Sequence, residues 1–282
     1  MTILEKLENP DFKASKSDKI IMEYIKNNLE DVVYMPISQI AKKNNLGEAT
    51  ITRFARKMGF NSLQDFKVTL AQETSSGTNK KNIISSNIEN GESAIETAKK
   101  LLNSNINILS NTVDIINNED IHRCTELIKQ AKRVYFVGIG YSGIIAQDSN
   151  YKFMRIGLNC TCFDSSHTMI MMSSIMDEND LIVAISHSGE TDEIIKTVNI
   201  AKSNNVKIIS ITENKESKLK DLSDVNLSYI SGETIFETGS ISSKLAQIFI
   251  IDLVYTQVVK EQFNESLERK VKTTNAIKLF KW

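Results

Sequence analysis

The chain is poor in the residues that build metal centres and disulfide frameworks: its 282 residues include three cysteines and three histidines. Cys124, Cys160 and Cys162 form an odd set, and Cys160 and Cys162, two apart, have no second pair to complete a tetrahedral zinc site. They are expected to be small buried residues of a reduced, cytoplasmic protein. Long apolar runs are also missing. None approaches the roughly 20 residues that span a bilayer. The stretch Met1-Thr2-Ile3-Leu4-Glu5-Lys6 is not a basic segment leading into an apolar core, which argues against a secretory signal. Charge of one sign is not in excess either: 34 Lys and Arg stand against 35 Asp and Glu, a net −1. Any nucleic-acid contact must therefore rest on a local basic face. No membrane partner, no metal and no cofactor are expected.

What is present is the balance of a soluble globular protein, 41% hydrophobic and 24% charged, with a length that favours two domains. The character of the chain changes near residue 71. Short helical patterns end in Phe66-Lys67-Val68-Thr69-Leu70, and the polar, aperiodic Glu73–Asn82 follows as a linker. The expected division is a domain over 1–77, a linker and connecting helix over 78–119, a second domain over 120–260, and a helical tail over 261–282. Within 93–117, Ile95, Ala98, Leu102, Ile106, Leu109 and Val113 share one helical face, and a second amphipathic stretch covers 120–131. Strand-like runs near 134–138, 159–163, 181–185, 206–211 and 226–229 then alternate with helical segments, and a long helix covers about 240–260. Continuous β-branched runs separated by helices imply a parallel sheet covered on both faces.

Residues 37–58 hold two helical patterns around the break Asn44-Asn45-Leu46-Gly47, with Pro36 suited to the first turn. In the second pattern Ile51, Phe54, Ala55 and Met58 form one buried stripe. The opposite arc carries Ala49, Thr52, Arg53 and Arg56, with Glu48, Thr50 and Lys57 at its edges. An Arg- and Thr-bearing helix after a tight turn is what a major-groove reader requires. Between Ser38 and Leu70, Lys42, Lys43, Arg53, Arg56, Lys57 and Lys67 outweigh Glu48 and Asp65, a local net of +4. Spacing and charge also suit a helical dimerisation or capping subdomain with a solvated basic face.

The segment ISQIAKKNNLGEATITRFARKMGFNSLQDFK resembles the helix-turn-helix of the RpiR family of bacterial transcription regulators, over roughly residues 1–77. Ala49-Thr50-Ile51-Thr52-Arg53-Phe54, Met58-Gly59-Phe60 and Asp65-Phe66-Lys67 carry the likeness. Pro36 and Gly47 depart from it, standing where the family places serine caps. The resemblance implies DNA binding through Glu48, Ala49, Thr50, Thr52, Arg53, Arg56 and Lys57.

Further along, Ser186-His187-Ser188-Gly189-Glu190-Thr191 follows the apolar run Leu181–Ile185 and precedes a helical pattern. Three hydroxyls, a glycine that permits close backbone approach, and a helix N-terminus make an anion site without a lysine or arginine. Gly138-Ile139-Gly140-Tyr141-Ser142-Gly143 satisfies G-x-G-x-x-G after a strand, and Asp164 near the next strand's end fits a dinucleotide site equally well. The second hydroxyl-rich loop is what a dinucleotide site does not need. The spacing resembles the SIS (sugar isomerase) domain over about 120–260, which implies that Ser142, Ser186, Ser188 and Thr191 bind a sugar phosphate, with His187 and Gly189 lining the loop.

His187 is expected to form a wall, His167 to start a helix, and His122 to lie on the surface. Sugar-phosphate isomerases of this superfamily often carry His-Gly-Asp near His167, and this chain has Ser166-His167-Thr168 instead. ISSKLAQIFIIDLVY resembles the corresponding RpiR segment, with Lys244 where Arg is frequent; Glu237 and Lys244 are further ligand candidates. The expected fold is α/β, an N-terminal all-α helix-turn-helix domain plus a three-layer α/β/α parallel-sheet SIS domain. The expected function is a cytoplasmic, non-enzymatic regulator of sugar metabolism, a homodimer or dimer of dimers on a palindromic double-stranded operator, with a phosphorylated sugar as effector. The rival is a phosphosugar isomerase with a helical N-terminal appendage.

Overall fold

Two reciprocal capping boxes open the chain. Thr2 accepts from Glu5 N–H at 3.1 Å while the Glu5 carboxylate accepts from Thr2 N–H, starting α1 (Ile3–Glu8), and Ser15 and Asp18 repeat the device at α2 (Lys16–Asn27). The computed structural model describes residues 2–35, 37–74, 88–89, 91–213, 216–231 and 241–279. The chain divides into two compact units, one running to Lys100 and the other beginning at Leu101. Pro36, the stretch 75–87 that holds most of the expected linker, and Glu237 lie outside the described residues.

In the first unit α3 (Leu29–Tyr34), α4 (Ile37–Lys43), α5 (Glu48–Lys57) and α6 (Leu63–Thr74) follow. Ile21, Ile51, Phe54, Met58, Phe66 and Leu70 are buried together. Phe54 lies edge-on to Phe12 and Phe66, with ring centroids 6.5 and 6.1 Å away, so the second pattern of the expected reader is nailed into the core through one stripe.

The helix α7 (Ala94–Asp114) buries Ile108 and Thr112. Its Ile95, Leu102, Ile106 and Val113, which share the apolar face read from the sequence, are exposed. The helix is anchored by its other side, leaving that stripe on the surface. Next come α8 (Asn118–Gln130), β1 (Arg133–Val137), α9 (Tyr141–Arg155), β2 (Cys160–Phe163), α10 (Ser166–Ser173) and β3 (Asp180–Ile185). They are followed by α11 (Asp192–Ser203), β4 (Lys207–Glu213), α12 (Lys218–Leu222), β5 (Val225–Tyr229), α13 (Ile241–Glu261) and α14 (Phe263–Lys278).

All four strand pairings are parallel, in the order β2-β1-β3-β4-β5. Every residue of β3 is buried. Alternate side chains of the sheet pack against α8, α9 and α13 on one face (Phe136, Val183, Ile211) and against α10 and α11 on the other (Tyr135, Ile182, Ile208). This is the three-layer α/β/α arrangement expected from the continuous apolar runs. Arg133 and Asp180, partners in the β1–β3 register, form a bidentate pair at 2.6 and 2.8 Å that locks the two central strands at their N-terminal ends. Among the described residues no helix is long and apolar enough to cross a membrane.

Candidate functional site

The strand order reverses direction between β1 and β3: the chain leaves β1 toward β2 on one side and leaves β3 toward β4 on the other. At such a switch point the loops at the carboxyl ends of the two strands splay apart and leave a crevice. Here those loops are 138–140 and 186–191, so the fold brings the two sequence-read segments to the same crevice although Ser142 and Ser186 are far apart in the chain.

The first loop turns sharply into α9. Gly140 has φ +63° and serves as N-cap without a side-chain bond, and a Cβ on Gly138 would lie 2.5 Å from the Ser142 carbonyl oxygen. The first turn of α9 holds Ser142, buried, and no acidic residue, so its leading N–H groups face the crevice with nothing negative beside them in that turn. In the second loop Ser186, buried, shares a 3.2 Å hydrogen bond with Thr191, the N-cap of α11, and its Oγ also accepts from Gly189 N–H at 3.2 Å. The exposed Ser188 accepts from Glu190 N–H. Gly189 has φ +63°, and any Cβ there would collide with the Ser217 hydroxyl at the start of α12.

The loop is stapled from behind. Ser186 N–H donates to Ile211 C=O, Glu213 N–H to His187 C=O, and Leu219 N–H to Gly189 C=O, all at 3.0–3.1 Å. Glu190 accepts from Lys218 N–H at 2.8 Å and pairs with its ammonium at 3.4 Å, which turns this carboxylate toward α12.

Of the other candidates, His187 is half-buried, its Nδ1 2.9 Å from the Tyr229 hydroxyl. Lys244, in the first turn of α13, places its ammonium 4.6 Å from the centroid of the Tyr141 ring and so belongs beside the first loop. Tyr141 and Tyr229 were not singled out in the sequence; a lone aromatic gives no motif. His167 is exposed in the first turn of α10. His122 is exposed near Glu126 and Glu261, and the Lys129 ammonium already bridges those carboxylates at 2.7 Å each. Asp164 accepts from Gln147 at 2.7 Å. Burial pushes the Cys160 and Cys162 thiols up to about 11, so both stay protonated near neutral pH.

In the first unit Asn45, with φ +52°, makes the turn between α4 and α5, and Gly47 caps α5 without a side-chain bond. Ala49, Arg53, Arg56 and Lys57 are exposed; Glu48, Thr50 and Thr52 are half-buried on the same arc. Arg53 folds back on its helix, donating to Ala49 C=O at 3.2 Å and to the Thr50 hydroxyl at 3.3 Å. Two lysines of the sequence-read basic face are otherwise engaged. Lys67 is buried and donates to Met35 C=O at 2.5 Å, and Lys57 pairs with the buried Asp18. Of the six basic residues counted between Ser38 and Leu70, this leaves Lys42, Lys43, Arg53 and Arg56, all exposed, as the rest of that face.

A helix-turn-helix unit with exposed arginines on α5 and an α/β unit with hydroxyl-bearing loops at its switch point are the parts of a transcriptional regulator with a sensing domain, and comparison with known proteins agrees. Residues 1–77 match the helix-turn-helix domain of the rpiR family, and residues 127–257 match the SIS domain. An uncharacterized HTH-type transcriptional regulator of Clostridium perfringens is 58% identical over 98% of this chain and 99% of its own length. The Vibrio vulnificus NanR protein, solved complexed with ManNAc-6P, is 25% identical with a TM-score of 0.81 over 98% of each chain. A putative phosphosugar isomerase of Bacteroides fragilis, 28% identical with a TM-score of 0.54, covers 63% of this chain and 97% of its own. The chain belongs to the rpiR family of helix-turn-helix transcriptional regulators and carries a SIS domain.

Proposed function

We propose that a phosphorylated sugar occupies the crevice between the β1 and β3 loops and changes the operator affinity of α5. What supports this reading is that the β1 loop leading to Ser142 and the β3 loop bearing Ser186, Ser188 and Thr191 leave adjacent strands at the switch point of the sheet, each running into a helix N-terminus. Hydroxyl and backbone donors there suit a phosphate dianion. The ManNAc-6P complex of the Vibrio vulnificus relative supports the same ligand class for this chain. Gly189 gives the second loop its shape, His187 walls it, and Lys244 and Glu237 are the candidates for sugar hydroxyls.

On the DNA side, Arg53 and Arg56 contact base edges in the major groove or the phosphates that flank it, with Glu48, Ala49, Thr50 and Thr52 along the contact arc, while Lys57 at its end holds the helix in place through Asp18. Arg53's bonds to its own helix are readily exchanged for a base edge. The chain works in the cytoplasm as a homodimer or dimer of dimers on a palindromic operator; the exposed stripe of Ile95, Leu102, Ile106 and Val113 on α7 supports a second copy as its cover. The ligand acts only through unequal affinity for the DNA-competent and DNA-incompetent arrangements.

The chain is read as a sensor without turnover. The rival, isomerisation, needs a base at C1/C2, and the one histidine placed near the second strand's end, His167, is exposed in a helical turn without the His-Gly-Asp segment. Thermal shift of the full chain against hexose, pentose and amino-sugar phosphates, ManNAc-6P among them, is read alongside operator gel shifts and an aldose–ketose assay. A stabilising sugar phosphate that alters the gel shift without being converted is the expected result. Steady isomerisation, lost on His167→Ala, would overturn the sensor reading.

A further inference from the structure

Lys244 stands where a lysine does little for stability. It lies in the first turn of α13, at the positive end of the helix dipole, and no acidic residue shares that turn. The side chain is half-buried, and among the described residues its ammonium has no hydrogen bond or ion pair. What holds it is the face of the Tyr141 ring, with Nζ 4.6 Å from the centroid.

Tyr141 in turn opens α9, directly before the buried Ser142, and its ring is 52% exposed. The Ser142 hydroxyl is also without a hydrogen-bond partner among the described residues. A cation and a hydroxyl with no partner of their own thus lie on and beside the same aromatic residue, at the mouth of the β1 loop.

The ring does for Lys244 what a carboxylate would do at greater cost to a ligand. A lysine ammonium rides on a flexible four-carbon stem, and ordering that stem on binding subtracts from affinity. Attraction to the ring selects the rotamers that reach the first loop before any ligand arrives. A carboxylate would take up the N–H donors and cancel the charge; a ring face leaves donors available for an incoming oxygen. The hydroxyls and helix N-termini of the two loops offer the same welcome to any phosphate monoester, and to phosphate itself. Distinguishing the sugar requires a donor beyond the phosphate.

We propose that Tyr141 is a positioning residue whose ring holds the Lys244 ammonium at the mouth of the crevice, so that the pair distinguishes a sugar phosphate from inorganic phosphate by donating to a sugar oxygen. The proposal rests on the phosphosugar reading of the crevice and adds to it a ring that acts only through the lysine.

Calorimetric titration of the full chain with inorganic phosphate and with hexose, pentose and amino-sugar phosphates tests this. The wild type should bind at least one sugar phosphate of that set more tightly than inorganic phosphate. Tyr141→Leu and Lys244→Met should each weaken that sugar phosphate about tenfold, and the double variant should lose no more than either single one. Inorganic phosphate should bind all of these variants equally, and Tyr141→Phe, which keeps the ring, should restore the sugar preference. Undiminished sugar-phosphate affinity in Tyr141→Leu overturns the proposal, as do losses that add in the double variant. Equal weakening of inorganic phosphate overturns it too, since the ring would then support the phosphate loop itself, and failure of Tyr141→Phe would assign the role to the hydroxyl. A wild type that binds phosphate but prefers no sugar phosphate removes the pair's role and leaves the phosphate site standing. A wild type that binds neither overturns the crevice reading.

Discussion

Lys57 Nζ lies 2.6 Å from Asp18 Oδ2, joining the end of α5 to α2. The same carboxylate oxygen accepts from Ser15 N–H at 2.8 Å and the Ser15 hydroxyl at 2.7 Å, and the Asp18 side chain is 3% exposed. The end of the helix is also held by Lys6, whose ammonium donates to Met58 C=O at 3.1 Å, where a cation complements the helix dipole. The last turn of α5 is thus tied to α2 through Lys57 and to α1 through Lys6.

Lys57→Met should therefore lower the melting temperature of the full chain, by a stability loss of about 1–3 kcal/mol, because it leaves a buried carboxylate short of its cation. Its effect on operator affinity should be nearly independent of salt. Arg53→Ala and Arg56→Ala should behave in the opposite way: little change in melting, and a log affinity that falls less steeply with log salt, by about 1 for each phosphate no longer neutralised. Binding titrations at several salt concentrations separate the two classes. A salt slope shallower by a full unit in Lys57→Met would make that lysine a DNA ligand.

Asp18 also sets an acid limit. Burial acts to raise its carboxyl, but the Lys57 ammonium and the Ser15 hydroxyl and N–H outweigh burial and hold it below the ordinary value of 3.8. A carboxyl depressed in the folded state contributes stability above its unfolded value and loses it as pH falls through the folded one. Stability of the N-terminal unit should fall with acidification below about pH 4, and Asp18→Asn should flatten that dependence while costing stability near neutrality. Melting curves from about pH 2 to pH 7 give the comparison; parallel curves for wild type and variant would remove Asp18 from the account.

Gly189→Ala tests the loop geometry. The φ of +63° disfavours any Cβ, and the Ser217 hydroxyl occupies the space it would need. Sugar-phosphate response should disappear, with operator binding retained. Unchanged thermal shift by an active sugar phosphate would mean the loop is more plastic than its staples imply.

Ser186→Ala combined with Ser188→Ala should give the same separation by chemistry in place of shape: no ligand response, native operator affinity. Arg53→Ala should give the mirror image, native ligand binding with weakened operator binding. Thermal shift and gel shift on the same preparations check both, and a surviving response in the double alanine variant would move the phosphate elsewhere.

Much of this architecture is legible in the chain because its signals are local. The run Leu181–Ile185 is apolar on both faces, as only a doubly covered strand can be, and it forms a strand buried along its whole length. Ile51, Phe54, Ala55 and Met58 announce one buried stripe, and all four are buried. The two glycine- and hydroxyl-bearing loops can be read because each is a contiguous motif. What escapes is pairwise and distant. Lys57 looks like any exposed lysine until Asp18 is brought beside it from 39 residues away. Lys67 reads as surface charge, yet Met35 C=O draws it inside. Tyr141 acquires meaning only when α13 sets Lys244 over its ring. The stripe on α7 is periodic as expected, but periodicity does not say whether the cover comes from the same chain.

The crevice hangs from β1 and β3, both flanked by neighbours on either side, the second of them buried throughout. Interior strands open last in native-state fluctuations, while edges such as β2 and β5 fray first. Amide exchange should therefore find the floor of the crevice among the slowest protons of the molecule, with or without ligand. Only the loop amides above it, from Gly138 to Ser142 and from Ser186 to Thr191, should slow on binding. The receptor stays assembled while its periphery breathes, and the chain need not refold any of its interior to register that a sugar has arrived.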